Sequence, residues 1–167
     1  MKLKLATLGI LTVFLCLSFS ANAQENSRLG ALIAYGTEIE SVGVGVNAEF
    51  PVIENLTVSP SFIYYIPKEE SGFKMNWLEV NANANYYFVS QADMGVYAIG
   101  GLNYSSVKLE YDGSYPFDMD ASDGRFGLNL GAGANFELGG ITPFAEIKYV
   151  IIDEGQLVLG AGVKFNL

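Results

Sequence analysis

The sequence predicts an all-β protein, namely a closed eight-stranded antiparallel up-and-down transmembrane β-barrel. Three observations support this fold class: apolar residues recur at every second position, the positions between them favour small polar residues, and aromatic residues recur near the segment ends. A period of two is the pattern of β-strands. Only 16% of the 167 residues are charged and 19 are glycine, whereas a typical soluble domain is about 25% charged.

The chain begins with a segment that is predicted to be a cleaved signal peptide, residues 1–23. Lys2 and Lys4 precede a long uncharged run, and two small residues, the second of them Ala23, fit a cleavage site. The run is too short for a membrane-spanning helix, which needs about 20 apolar residues. We therefore expect an exported domain over residues 24–167, and loss of the two lysines takes the net charge from −9 to −11.

Two residue types that carry much enzyme chemistry are missing from the exported part. Histidine is absent from the sequence, and the one cysteine, Cys16, lies in the predicted signal peptide. The common general bases, thiol nucleophiles and soft metal ligands are thereby removed. The acidic charge balance also disfavours nucleic acid, whose phosphates attract basic side chains. We expect no enzyme activity, no cofactor, no metal and no nucleic-acid partner.

Eight segments carry the alternation and are predicted to be the strands. The four strict ones are Val42–Val52, Leu78–Phe88, Leu128–Leu138 and Leu157–Leu167. The four weaker ones are Leu29–Tyr35, Leu56–Ile66, Val96–Tyr104 and Ile141–Ile151. Connections after the even segments are tight, whereas those after the odd segments tend to be longer and acidic, including residues 67–74 and 108–125. Short turns at one end and longer loops at the other are the plan of an outer-membrane barrel.

The two faces of the strands indicate which side meets lipid. The face opposite the apolar one favours glycine, asparagine and serine over long charged side chains. These residues suit a narrow lumen, because an eight-stranded interior is just wide enough for side chains to fill. Aromatic residues in the apolar register fall at two levels and predict two girdles at the membrane interfaces. The upper set is Tyr35, Tyr64, Tyr104 and Tyr149, and the lower set is Phe50, Phe88, Phe136 and Phe165.

Six charged residues in the inward register are predicted to form a lumenal charge network. Glu79, Lys148 and, near mid-height, Glu146 are placed in the upper part, and Glu49, Glu137 and Lys164 in the lower part. Charges held away from bulk water need partners, so we expect them to pair and to plug the barrel. A gated pore or a proton path is the alternative use of the same charges. The bulky inward residues that should block a channel are Tyr65, Trp77, Tyr87, Tyr97 and Phe144.

Two stretches of the exported part resemble a known family. Leu56–Tyr65 looks like the third strand, and Ile141–Tyr149 followed by Leu159–Phe165 looks like the last hairpin, of small outer-membrane barrels. The exported part resembles the small outer-membrane β-barrel domain family of OmpX-like and OmpA-like eight-stranded barrels, including porin family proteins of the Bacteroidetes. The resemblance implies an outer-membrane location, contact with outer-membrane lipid and lipopolysaccharide, and recognition of the C-terminal strand by the assembly machinery. Within its third strand, Pro60 is expected to mark a β-bulge, since proline donates no ladder hydrogen bond.

Function follows less directly than fold, because these patterns describe residue classes and carry no catalytic signature. The favoured prediction is a structural or surface-interaction role, in membrane integrity or adhesion, with a plugged lumen. The alternatives are a narrow porin-like channel for ions or small solutes and a periplasmic lipid-binding barrel. An unknown surface ligand at the loops stays open, through an aromatic patch or through carboxylates whose spacing fits a calcium loop only loosely. The loop residues concerned are Tyr111, Tyr115, Pro116, Phe117, Asp118, Asp120 and Asp123.

Overall fold

The computed structural model describes residues 27–70, 73–111, 121–153 and 155–167, most of which lie in eight strands. The strands are β1 (Arg28–Gly36), β2 (Ser41–Ile53), β3 (Leu56–Glu70), β4 (Phe73–Ser90), β5 (Met94–Tyr111), β6 (Ala121–Phe136), β7 (Ile141–Ile151) and β8 (Gln156–Asn166). Each strand pairs antiparallel with its neighbours in sequence, and β1 pairs with β8 to close the barrel. The predicted fold class is confirmed, including the number of strands and their up-and-down order.

The alternation in the sequence corresponds to the two sides of the barrel wall. In β1, Leu29 and Ile33 are more than half exposed, whereas Leu32 and Ala34 are buried. Large apolar side chains point outward on every strand, and the buried inward positions include many amides, hydroxyls and charged groups. A lipid-binding barrel has the opposite arrangement, with its apolar side chains around an internal cavity. Among the described residues, there is no helix with the length and hydrophobicity that a membrane crossing requires.

Four neighbouring strands are longer than the sequence predicted. β3, β4, β5 and β6 have 15, 18, 18 and 16 residues, against 9 in β1 and 11 in β7 and β8. The expectation that residues 67–74 and 108–125 are connections is therefore wrong over much of their length. An apolar outer face is needed only where a strand meets an apolar environment. Ladder hydrogen bonds need only a neighbouring strand, so these strands continue upward with polar residues. We call their upper ends the protruding sheet, comprising residues 66–70, 73–77, 106–111 and 121–127.

Pro60 does not produce the expected bulge. Below it, Phe50 of β2 pairs with Val58 of β3, and above it, Asn47 pairs with Ser61 in the same register. The prediction was wrong because β3 remains paired with β4 through Pro60. The absence of the proline N–H therefore does not shift the register of the strand. Register shifts occur instead between Pro51 and Ile53, between Tyr65 and Lys68, and between Tyr87 and Val89.

Candidate functional site: the charged lumen

Glu79 of β4 and Lys148 of β7 meet in the upper lumen and form what we call the upper cluster. The Lys148 ammonium donates to one Glu79 oxygen and to the Asn81 amide oxygen, each at 3.1 Å. Tyr65 and Gln156 donate to the other Glu79 oxygen at 3.2 and 2.9 Å. Glu79 is 0% and Lys148 5% exposed. Several donors therefore replace the water that this carboxylate loses on burial.

Glu49 of β2 and Lys164 of β8 form the lower cluster. The Lys164 ammonium is in direct contact with one Glu49 oxygen, and Tyr87 donates to the other oxygen at 2.5 Å. The ammonium also lies 4.5 Å from the ring centroid of Phe144 and 5.5 Å from that of Tyr97. Both charged residues are buried. The ion pair is thus enclosed by aromatic rings, and cation–π attraction adds to the charge attraction.

A third ion pair joins the first strand to the end of β6. Arg28 contacts Glu137 at 2.7 Å, and Thr142 donates to the other Glu137 oxygen at 2.9 Å. Arg28 was not among the predicted lumenal charges, because the predicted first strand began at Leu29. Extending the alternation back by one residue places Arg28 in the inward register and would have found it.

Glu146 of β7 forms part of the wall of a small cavity between the two clusters. Tyr97 donates to its carboxylate at 2.7 Å, and no ion pair links Glu146 to a cation within the described ranges. The cavity has a volume of about 20 Å³, and its wall includes Glu146, Lys148, Asn47 and Gly160. The buried Asn47 amide oxygen has no hydrogen-bond partner among the described residues. A volume of about 10–15 Å³ admits one water, so the cavity has the size and polarity to hold one.

An amide network extends the upper cluster, and in the sequence its members were recognisable only as small polar residues of the inward register. The Asn81 amide oxygen accepts hydrogen bonds from Asn103 at 2.8 Å and from Asn129 at 2.9 Å, besides the one from Lys148. Asn129 also donates to Asn83 at 2.7 Å. These residues come from three adjacent strands, β4, β5 and β6. Alternating asparagines on neighbouring inward registers were the available signal for this network.

The bulky residues predicted to face inward lie inside the barrel wall. Tyr65, Tyr97 and Phe144 are fully or almost fully buried. Trp77 packs at the upper mouth against an apolar cluster of inward side chains. Tyr87 and Tyr97 have ring centroids 4.9 Å apart. Aromatic side chains therefore lie in the lumen between and beside the ion pairs.

The eight residues predicted for the aromatic girdles lie on the outer side of the wall. Tyr104 and Phe50 are partly covered by their neighbours. Tyr104 contacts Phe126, with ring centroids 4.9 Å apart, and Phe126 is 83% exposed although sequence analysis did not assign it to a girdle. The membrane boundaries that these rings would mark stay a prediction. The six with exposed side chains are Tyr35, Tyr64, Tyr149, Phe88, Phe136 and Phe165.

Only two of the loop residues considered for a surface ligand lie within the described ranges. Tyr111 ends β5, and Asp123 lies in β6, where it pairs with Arg125 at 2.9 Å. In the part of the chain that the structure describes, no three acidic, histidine or cysteine side chains are grouped to hold a metal ion. Tyr115, Pro116, Phe117, Asp118 and Asp120 lie outside the described residues.

Solved barrels from several bacteria have the same fold. The N-terminal β-barrel domain of OprF from Pseudomonas aeruginosa matches with a TM-score of 0.67 at 16% identity, covering 86% of this chain and 98% of that one. Neisserial surface protein A matches with a TM-score of 0.64 at 18% identity, covering 84% and 96%. Ail of Yersinia pestis, solved in complex with the heparin analogue sucrose octasulfate, matches with a TM-score of 0.58 at 20% identity, covering 84% and 97%.

These structural likenesses, at such low identities, show the fold alone. Among curated proteins, none matches this sequence. A family model described as the outer membrane protein beta-barrel domain matches residues 9–166, which is nearly the whole chain. The family resemblance seen in the sequence is therefore confirmed, and with it the outer-membrane class. The chain belongs to the outer membrane protein β-barrel domain family.

Proposed function

We propose that this protein is a sealed outer-membrane barrel that acts through its outer surfaces, in membrane integrity or surface interaction. The observation that carries this proposal is the set of side-chain contacts that cross the lumen. The upper cluster connects β4 to β7, and the lower cluster connects β2 to β8. Tyr97 and Phe144 lie beside the lower ion pair. The cavity of about 20 Å³ between the clusters has room for about one water, which is too little for a solute path.

The energetics of the ion pairs favour a plug over a gate. Breaking a buried ion pair by removing one partner costs about 3–5 kcal/mol. Each 1.4 kcal/mol lowers a population about tenfold. A transient opening that separated Lys164 from Glu49 without a new partner would therefore be populated at about 1 part in 100 or less. Opening the whole lumen would require the upper ion pair to separate as well.

Single-channel recording of the full folded protein in a planar lipid bilayer tests the seal. We expect a baseline without discrete conductance steps. A variant with Tyr97→Ala and Phe144→Ala removes two rings from the lumen and should produce steps. The matched control, Tyr86→Ala with Phe88→Ala, removes two exposed rings from the outer wall and should not. Discrete steps from the unsubstituted protein would contradict the seal and support the narrow porin-like channel.

We further propose how the chain reaches and occupies the outer membrane. Residues 1–23 are removed on export, the outer wall contacts lipid and lipopolysaccharide, and the assembly machinery recognises β8. The support is that Leu159, Phe165 and Leu167 are exposed on the outer side up to the chain end. The test is the mass of the protein from the outer-membrane fraction, which should fit a chain starting at Gln24. A mass that includes the first 23 residues would contradict the cleavage.

The proposed role is non-enzymatic. Glu49, Glu79, Lys148 and Lys164 are buried against one another, so a substrate entering from either side would not reach them. A general acid or base must lie within hydrogen-bond reach of a reacting group. Incubation of the folded protein with outer-membrane lipids should therefore leave the lipids unchanged. A change in lipid mass that is lost with Glu146→Gln would contradict this proposal.

A further inference from the structure

The three tyrosines of the described lumen all donate their phenols to carboxylates. The hydrogen bonds join Tyr65 to Glu79 at 3.2 Å, Tyr87 to Glu49 at 2.5 Å and Tyr97 to Glu146 at 2.7 Å. Glu79 and Glu49 are also bound by a lysine, whereas no ion pair joins Glu146 to a cation within the described ranges. In the Tyr97–Glu146 pair, the carboxylate can therefore take up a proton without breaking an ion pair.

The ion pairs of the described lumen leave one carboxylate without a compensating charge. Glu49, Glu79 and Glu137 each pair with one cation, and Glu146 is the fourth carboxylate. With all of these groups ionised, four negative charges face three positive ones, and the excess is one negative charge. A charge held away from bulk water without a partner costs free energy. Electrostatics therefore favours a change that removes one negative charge from this part of the lumen.

Loss of one electron from Tyr97 would make this change. A phenol that has lost an electron is strongly acidic, and a base within hydrogen-bond reach takes its proton. The O–H bond of Tyr97 breaks, the proton forms an O–H bond with a Glu146 oxygen, and the electron passes to a one-electron oxidant. The products are a neutral phenoxyl radical and a neutral carboxylic acid. No charge is left at the pair.

The surroundings of Tyr97 favour a long-lived radical. Its side chain is 0% exposed, and its ring lies so close to Gly133 that a Cβ there would collide with it. Radicals decay chiefly when they meet one another, so an enclosed ring keeps its radical longer than an exposed ring does. The half-buried ring of Tyr87 lies 4.9 Å from the Tyr97 ring, nearer the lower end of the barrel. An electron can leave Tyr97 through this contact, although no oxidant enters the lumen.

We infer that Tyr97 and Glu146 form a one-electron redox site, at which the barrel traps an oxidising equivalent as a phenoxyl radical. Tyr97 is the electron donor, Glu146 is the proton acceptor, and Tyr87 connects the pair to the lower end of the lumen. The chemical class that the site serves is the one-electron oxidant in the surrounding water. This activity goes beyond the proposed surface role and requires no solute to cross the lumen.

Electron paramagnetic resonance of the full protein, folded in phosphatidylcholine nanodiscs, tests the site. Photogenerated tris(bipyridine)ruthenium(III) supplies the oxidant, and samples are frozen at increasing times. We expect a phenoxyl signal that lives at least tenfold longer than the signal of free tyrosine under the same conditions. Tyr97→Phe should lose this long-lived signal. The matched control, Tyr86→Phe, removes an exposed phenol from the outer wall and should keep it.

A second variant separates the proton acceptor from the hydrogen-bond acceptor. In Glu146→Gln, the amide oxygen can still accept from Tyr97 but does not take up its proton. The long-lived radical should therefore form at least tenfold more slowly than in the unsubstituted protein. A heat-dependent shift on SDS gels checks that each variant is folded.

Difference infrared spectroscopy of the unsubstituted protein decides the matter even where a variant does not fold. The carbonyl band of a protonated carboxyl group should appear together with the radical. Absence of this band, absence of a long-lived radical, its survival in Tyr97→Phe, or an unchanged rate in Glu146→Gln would each overturn the inference. Conductance is unaffected by any of these outcomes and tests the seal separately.

Discussion

The two lumenal clusters contain the same kind of ion pair in different surroundings. In the lower cluster, Lys164 contacts Glu49 and is otherwise enclosed by the rings of Phe144 and Tyr97. The upper pair is surrounded by amide and hydroxyl groups, and Lys148 borders a cavity large enough for a water. A charge left without its partner therefore keeps several neighbouring dipoles in the upper cluster, whereas the Glu49 carboxylate of the lower one keeps Tyr87 and its cross-strand neighbour Arg28, whose guanidinium is paired with Glu137. We therefore expect the cost of breaking each buried ion pair to depend on the groups that remain around it.

Lys164→Met should have the largest effect on stability. Among the described residues, it leaves the buried Glu49 carboxylate with a hydrogen bond from Tyr87 alone, so the free energy of unfolding should fall by about 3–5 kcal/mol. Urea titration of the folded protein, followed by the heat-dependent gel shift, measures this fall. Lys68→Met is the matched control, because its ion pair with Glu40 is exposed and should contribute less than about 1 kcal/mol. Similar losses of stability in the two variants would show that the buried ion pair stabilises the barrel no more than the exposed one.

Removing both charges of the lower cluster should cost less than removing one. In Glu49→Gln with Lys164→Met, no ionised group is stranded, and the glutamine can still accept the hydrogen bond from Tyr87. The double variant should therefore be more stable than Lys164→Met by more than about 1 kcal/mol. The same urea titration gives the coupling energy. Additive losses would mean that the two side chains stabilise the barrel independently, through packing.

Lys148→Met should destabilise the barrel less than Lys164→Met, by about 1–3 kcal/mol. The remaining Glu79 carboxylate keeps its hydrogen bonds from Tyr65 and Gln156 at 3.2 and 2.9 Å. Planar-bilayer recording should show no new conductance, because the rings of the lower lumen stay in place. A loss equal to that of Lys164→Met would remove the contrast between the clusters. A new conductance would support a gate at Lys148.

The sequence determined which way side chains face, but not which side chains meet. Period-two alternation placed Glu79 and Lys148 on the inner side, because lipid and lumen select different residues on the two faces. Their contact joins strands β4 and β7, which are not neighbours, and depends on the tilt and stagger of the closed sheet. Those quantities are set by the register of all eight strands together. No single segment of the sequence encodes them, so the division into two clusters emerged only from the structure.

The lengths of the strands, and so the height of the barrel wall, could not be predicted from the apolar alternation either, for a related reason. Outside lipid, a strand needs no apolar face, so the upper ends of β3 to β6 resemble polar loops in the sequence. Arg28 was missed at the opposite end of the barrel, where the apolar positions again run out. Sequence patterns therefore identified the part of the wall that has an apolar outer face and underestimated the length of each strand that extends past it.

Gly160→Ala should have the smallest effect and tests the cavity beside the upper cluster. A Cβ at this position would have its nearest neighbours at 3.9 and 4.0 Å, so the methyl group fits without displacing the wall. Alanine is favoured over glycine in a strand by about 0.5–1 kcal/mol, and we expect a stabilisation of that size. Gly162→Ala, two residues further along β8 on the same face, is the control. There a Cβ would collide with the Ala31 carbonyl, and stability should fall.

The sign of the Gly160→Ala effect reveals what the cavity contains. If the methyl group enters free space, the stability of the barrel rises. The smaller loss expected for Lys148→Met is then explained by the amide groups of the upper cluster, without a water in the cavity. If stability falls instead, by more than about 1 kcal/mol, the methyl group has displaced a water with hydrogen bonds to its wall. Lys148, Glu146 and Asn47 are polar residues of the cavity wall that would lose such bonds. Combining Gly160→Ala with Lys148→Met would then give a non-additive loss, since both changes would act on the same water.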